Sequence, residues 1–121
     1  MLVDDNNVDR KMLKFHLKKA GFNNFVETFD GAPALDMLRE GKVDLIISDR
    51  YMQSMDGLDF FKKLQENKDT KSIPFLLLTA ENQKEKIAET IKLGIRNYIV
   101  KPIDPGTLMD KVKNMLGIKS A

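Results

Sequence analysis

The feature that most constrains this chain is an alternation of two kinds of segment, repeated five times along 121 residues. Short apolar runs stand at Met1 to Val3, Phe25-Val26, Leu45-Ile46-Ile47, Phe75 to Leu78 and Tyr98-Ile99-Val100. Runs this short and this rich in Ile, Val and Leu suit strands covered on both faces, as in a parallel sheet. Longer amphipathic stretches lie between them. Residues 7–20 place Leu13, Leu17 and Ala20 at helical spacing and stop at Gly21, a C-terminal breaker. Residues 32–40 carry Ala34, Leu35 and Leu38, with Pro33 tolerable in a first turn. Asp56-Gly57 opens a helix through Leu58, Phe61 and Leu64; residues 83–93 offer Ile87, Ile91 and Leu93; residues 105–116 offer Leu108, Val112, Met115 and Leu116.

Repeated strand–helix units force right-handed crossovers and a parallel sheet sandwiched by helices. Five strands are too few for an eight-stranded barrel, so the pattern predicts an open, doubly wound, five-stranded α/β sheet with five helices. In such sheets ligands bind beyond the carboxyl ends of the strands. The length predicts one domain over residues 1–121.

Composition narrows the function. The 20 Lys and Arg stand against 18 Asp and Glu, a net charge of +2 spread along the chain, which gives no footprint for nucleic acid. There is no Cys, hence no disulfide and no thiolate chemistry. The absence of a long apolar run or a leader-like start predicts no membrane span, no signal peptide and a cytoplasmic protein.

The residues that end the apolar runs are the informative ones. Asp4 and Asp5 follow the first, Asp49 the third, Thr79 the fourth, and Lys101 with Pro102 the fifth. The predicted fold brings them to one rim. Three carboxylates packed together repel and stay ionised only with a cation among them. Oxygen ligands in small number suit Mg²⁺. A carboxylate can itself be a nucleophile and become an aspartyl phosphate. Taken singly, an acidic pair before a helix is ordinary capping. The conjunction is what points to phosphoryl chemistry.

Val3-Asp4-Asp5, Ile47-Ser48-Asp49, Met55-Asp56-Gly57, Leu78-Thr79-Ala80-Glu81 and Tyr98-Ile99-Val100-Lys101-Pro102 resemble the receiver domains of bacterial two-component response regulators, their chemotaxis members most of all. The resemblance implies strand order 2-1-3-4-5. It makes Asp49 the phosphoacceptor, with Asp4, Asp5, Asp49 and the backbone carbonyl of Tyr51 holding Mg²⁺. It sets Thr79, the Ala80 N–H and Lys101 on the phosphoryl group, a cis peptide before Pro102, and Thr79 with Tyr98 as the switch pair. It implies a histidine kinase upstream and a protein target, a flagellar motor switch protein or another, met by residues 87–92, Tyr98 and residues 108–115. A phosphatase is a further possible partner, and a phosphorelay intermediate or a receiver cut from a larger regulator is the alternative reading.

Two departures from the family carry expectations. Only Met1, Leu2 and Val3 precede the acidic pair, so the internal first strand is expected to leave neighbouring ladder groups unpaired, lowering stability and inviting repair by a second copy; the chain is a monomer or a dimer. Tyr51 stands two residues after Asp49, and its ring is expected to shield a phosphoryl group from water and lengthen its lifetime. The same residue argues against an aspartate-nucleophile phosphatase, which would need a second Asp there. The chain is therefore read as a phosphoacceptor switch rather than an enzyme. A flavin carrier of the same topology would want a hydroxyl- and glycine-rich loop where Asp4 and Asp5 stand. His16 reads as a helix-face histidine, and the seven Met residues as core filler.

Overall fold

The computed structural model describes residues 1–80 and 84–118. Its elements run β1 (Leu2–Val3), α1 (Asn7–Lys19), β2 (Glu27–Thr28), α2 (Gly31–Glu40), β3 (Ile46–Asp49), α3 (Gly57–Gln65), β4 (Phe75–Thr79), α4 (Lys84–Lys92), β5 (Asn97–Val100) and α5 (Pro105–Met115). All four strand pairings are parallel and the order is β2-β1-β3-β4-β5. This is the doubly wound sheet that the alternation predicts. Glu81 of the sequence motif and the first residue of the expected 83–93 helix lie outside the described residues.

Two apolar layers flank the sheet. Val3, Ile46, Leu77 and Phe75 pack with Ala34, Leu58, Phe60, Phe61 and Leu64 of α2 and α3. Leu2, Ile47, Leu76, Leu78 and Ile99 pack with Leu13, Leu17, Leu108 and Val112 of α1 and α5. Alternate strand residues thus serve opposite faces, which is why the strands read as unbroken apolar runs.

The structure departs from the sequence reading in four places. First, β2 is Glu27–Thr28 rather than Phe25-Val26. Its ladder is set by its partner, with Leu2 opposite Glu27 and Val3 opposite Thr28, while Phe25 only packs into the α1/α5 layer. Second, two groups on the β3 side of the short β1, expected to be left unpaired, have partners. Ile47 N–H donates to the Met1 carbonyl at 2.9 Å, and the Met1 nitrogen donates to the Leu45 carbonyl at 2.7 Å. Third, Ile91 faces solvent and Thr90 takes the buried position of α4, because a buried arginine lies beneath that helix and needs a polar partner. Fourth, no methionine is fully buried: Met52 and Met55 border one layer and Met109 and Met115 the other, while Met12 and Met37 are exposed. Interior volume is filled by Leu, Ile and Phe instead. Among the described residues no helix is long and apolar enough to cross a membrane.

Candidate functional site

The rim at the carboxyl ends of the strands is assembled by register. Asp49 and Thr79 are the last residues of β3 and β4, and Thr79 pairs with Val100, so Lys101 emerges beside it. The Lys101 N–H donates to the Thr79 carbonyl at 2.7 Å, and the Lys101–Pro102 peptide bond is cis, as the resemblance implies. Asp4 leaves β1 with its N–H bonded to the Thr28 carbonyl.

Capping does not explain the acidic pair. The N-cap of α1 is Asn6, whose side-chain oxygen accepts from the N–H groups of Val8 and Asp9. Asp4 and Asp5 are therefore free for other work. One carboxylate oxygen from each of Asp4, Asp5 and Asp49 lies within 4.8 Å of the others. Asp4 is 1% exposed; its Oδ1 accepts from the Asn6 N–H at 2.9 Å, and its buried Oδ2 has no hydrogen-bond partner. A buried carboxylate oxygen with no donor, on a residue clustered with two further carboxylates, fits an oxygen-ligated cation such as Mg²⁺.

Electrostatics follow from this crowding. Burial, and then the neighbouring Asp49 and Asp9 charges, push Asp4 up to about 6 against the Asn6 hydrogen bond and Lys101. Burial raises Asp49 as well, more than Lys101 pulls it down. Lys101 Nζ sits 2.9 Å from Asp49 Oδ1 and 3.5 Å from Asp9 Oδ2. Burial alone would lower Lys101, yet Asp49 first, then Asp4 and Asp9, hold it above its ordinary value.

The remaining expected residues sit around this core. Thr79 is buried, Ala80 is exposed at the strand end, and Tyr98 is half-buried against the α2/α3 layer. Tyr51 is half exposed in the loop after Asp49, its ring 5.2 Å from the Arg50 guanidinium. A cavity of about 240 Å³ opens beside the site between Asp4, Asp9, His16 and Lys101. A larger one of about 710 Å³ lies at the opposite end of the sheet, among Leu17, Phe25, Leu45 and Met115, away from this chemistry.

Sequence reasoning missed three polar residues here. Asp9 adds a fourth carboxylate, invisible without knowing which face of α1 meets Lys101. Arg50, 4% exposed, reaches from the end of β3 to α4, with Nη1 3.3 Å from Thr90 Oγ1 and Nη2 3.7 Å from Glu89. Asp30 is buried at the start of α2, where it is the N-cap and reaches beyond its own helix. Gly57 is required by close approach, since a Cβ there would stand 2.5 Å from the Asp49 carbonyl oxygen.

Comparisons with known proteins agree with this geometry. Residues 1–113 match the model of the response regulator receiver domain. The chain is 38% identical over 112 residues to the chemotaxis protein CheY-3 of Vibrio cholerae, covering 93% of this chain and 86% of that protein. It superposes on the chemotaxis response regulator CheY4 of Vibrio cholerae with a TM-score of 0.85 at 34% identity, covering 95% of each chain. The signal receiver domain of a signal transduction histidine kinase from Syntrophus aciditrophicus gives a TM-score of 0.88 at 30% identity, over 99% of this chain and 91% of that one. The chain belongs to the response regulator receiver domain family and is CheY-like.

Proposed function

We propose that residues 1–121 form a single receiver domain that acts as a phosphorylation-driven switch, with Asp49 as the phosphoacceptor. The observation that carries this is the juxtaposition of Asp49, at the end of a central strand, with Lys101 on one side at 2.9 Å and two further carboxylates on the other. An Asp49 carboxylate oxygen attacks the phosphorus of a phosphohistidine on a histidine kinase. A P–O bond forms, the P–N bond breaks, and the departing imidazole takes up a proton. Lys101 meets the charge on the phosphoryl oxygens, and Thr79 with the Ala80 N–H holds a remaining oxygen. Asp4, Asp5, Asp49 and the Tyr51 carbonyl would hold Mg²⁺, which when bound would supply charge neutralisation at the transferring group. Movement of Thr79 toward the phosphoryl group vacates space for Tyr98, and the two states differ in affinity for a target.

The target surface is the face of α4, β5 and α5, residues 87–92, Tyr98 and 108–115. The likeness to chemotaxis proteins favours a flagellar motor switch protein as target, a phosphatase as a further partner, and the cytoplasm as location. The switch carries out its own phosphoryl transfer and loss and turns over no other substrate. A receiver belonging to a larger protein is the second reading, favoured by its likeness to a receiver domain of a histidine kinase.

Intact mass after incubation with Mg²⁺ and a small phosphodonor tests the reading. One phosphoryl gain is expected, absent in Asp49→Asn and with chelator. No gain from several donors, together with no binding of beryllofluoride, would reject it.

A further inference from the structure

Asp30 lies outside the acidic cluster, is 1% exposed, and has no cation within ion-pair distance among the described residues. Its charge is instead met by backbone. Oδ1 accepts from the Gly31 N–H at 2.7 Å and the Met55 N–H at 3.1 Å, and Oδ2 accepts from the Ser54 N–H at 2.8 Å. The first of these caps α2. The other two cross 24 and 25 residues of sequence to the loop between β3 and α3. That loop carries Tyr51.

We propose that Asp30 is a positioning residue for the metal-holding loop, fixing where the Tyr51 carbonyl sits relative to Asp4, Asp5 and Asp49. The inference rests on the Mg²⁺ site of the proposed function and assigns a residue outside it. The ends of the loop are held by the sheet. Arg50 N–H donates to the Leu78 carbonyl at 2.9 Å, and Gly57 N–H closes the loop on the Arg50 carbonyl at 2.6 Å. Between Tyr51 and Met55, the hydrogen bonds that tie the backbone to the rest of the described fold are the two to Asp30. Packing reinforces them, because the missing side chain of Gly31 leaves room for Met55, whose Sδ would stand 2.9 Å from a Cβ at that position. Charge-assisted bonds to a buried carboxylate are short and directional, so they suit a part whose task is to hold a carbonyl in place. Partners that orient metal ligands from behind typically cost tenfold to a hundredfold in metal affinity when removed.

The test compares Asp30→Ser and Asp30→Asn with wild type. Serine still caps α2 but is too short for the loop. Asparagine keeps the size and puts an amide NH₂ against one of the loop N–H groups. Mg²⁺ affinity is measured by titration calorimetry, with amide hydrogen exchange followed at Ser54 and Met55 and, as reference, in β3 and β4. The expected result is a Mg²⁺ Kd raised about tenfold or more in Asp30→Ser and by a smaller factor in Asp30→Asn. Exchange should quicken at Ser54 and Met55 while the strands stay protected. A folded Asp30→Ser or Asp30→Asn that binds Mg²⁺ within twofold of wild type overturns the inference and leaves the metal site standing. Wild type with no Mg²⁺ binding lost in Asp49→Asn overturns both.

Discussion

Removing one charge from the acidic cluster should stabilise the resting protein, by an amount the structure sets. Asp4 is raised from 3.8 to about 6 by burial first and by Asp49 and Asp9 after it. Folding therefore raises its proton affinity by about two pKa units, and each unit is worth about 1.4 kcal/mol. Because the folded state binds more protons than the unfolded one between pH 3.8 and about 6, stability from this group falls as pH rises through that window and is flat above it. At pH 8 the ionised Asp4 costs about 3 kcal/mol relative to its neutral form, and at pH 5 about half of that. Asp4→Asn mimics the neutral form and can keep the hydrogen bond from the Asn6 N–H. It should raise the urea midpoint at pH 8 by up to about 1.5 M, for a slope near 2 kcal/mol per molar. The gap to wild type should shrink toward pH 5. It should also shrink with Mg²⁺, which stabilises only the protein that binds it. Urea melts at pH 5 and pH 8, with and without Mg²⁺, read the effect. Equal midpoints at pH 8, or a gap that widens on acidification, would refute the account of a desolvated cluster.

Three further outcomes follow from the same coordinates. In Lys101→Met, Asp49 loses the 2.9 Å ion pair that opposes its burial, so its carboxyl should titrate at higher pH than in wild type, read by carbon NMR of that group; an unchanged or lower value would contradict the pairing. Tyr51→Asn should shorten the life of the aspartyl phosphate, followed by mass after donor removal, if the half-exposed ring shields that group from water as proposed; an unchanged decay counts against shielding. Phe60→Ala removes a ring with 0% exposure that packs edge-on to Phe75 at 5.9 Å, and should cost about 3–5 kcal/mol in urea denaturation; a loss under 1 kcal/mol would mean the α2/α3 layer collapses into the space.

The fold was legible because burial on both faces of a parallel sheet leaves unbroken apolar runs, and each chemical residue stands within two residues of the end of such a run. Asp4, Asp49, Thr79 and Lys101 needed only strand order and parallel direction to be brought together. What stayed hidden depends on which side chain meets which across elements. Phe25 and Val26 read as a strand because they are apolar, yet the ladder falls on Glu27 and Thr28, where β1 happens to stand. Ile91 read as inward by spacing, but its neighbour Thr90 takes that position to bond Arg50. Asp30 carried no signal in the sequence reading, because what sets it apart is which backbone it meets in the fold. Its bonds to Ser54 and Met55 are not local.

Asp30 and Asp4 together show how one residue type takes two opposite tasks in a single rim. Both are 1% exposed. Asp30 accepts from three backbone N–H groups, so both of its buried oxygens have donors. Asp4 accepts from one and keeps a buried oxygen without a donor, so its charge is costly until something positive arrives. The first arrangement is satisfied within the fold and the second is not. Sequence separates them poorly, since each is an Asp in the connection from a strand to the next helix. Counting donors separates them at once, and it agrees with the proposed roles: the satisfied carboxylate bonds the loop that carries Tyr51, and the unsatisfied one lies in the carboxylate cluster proposed to take Mg²⁺.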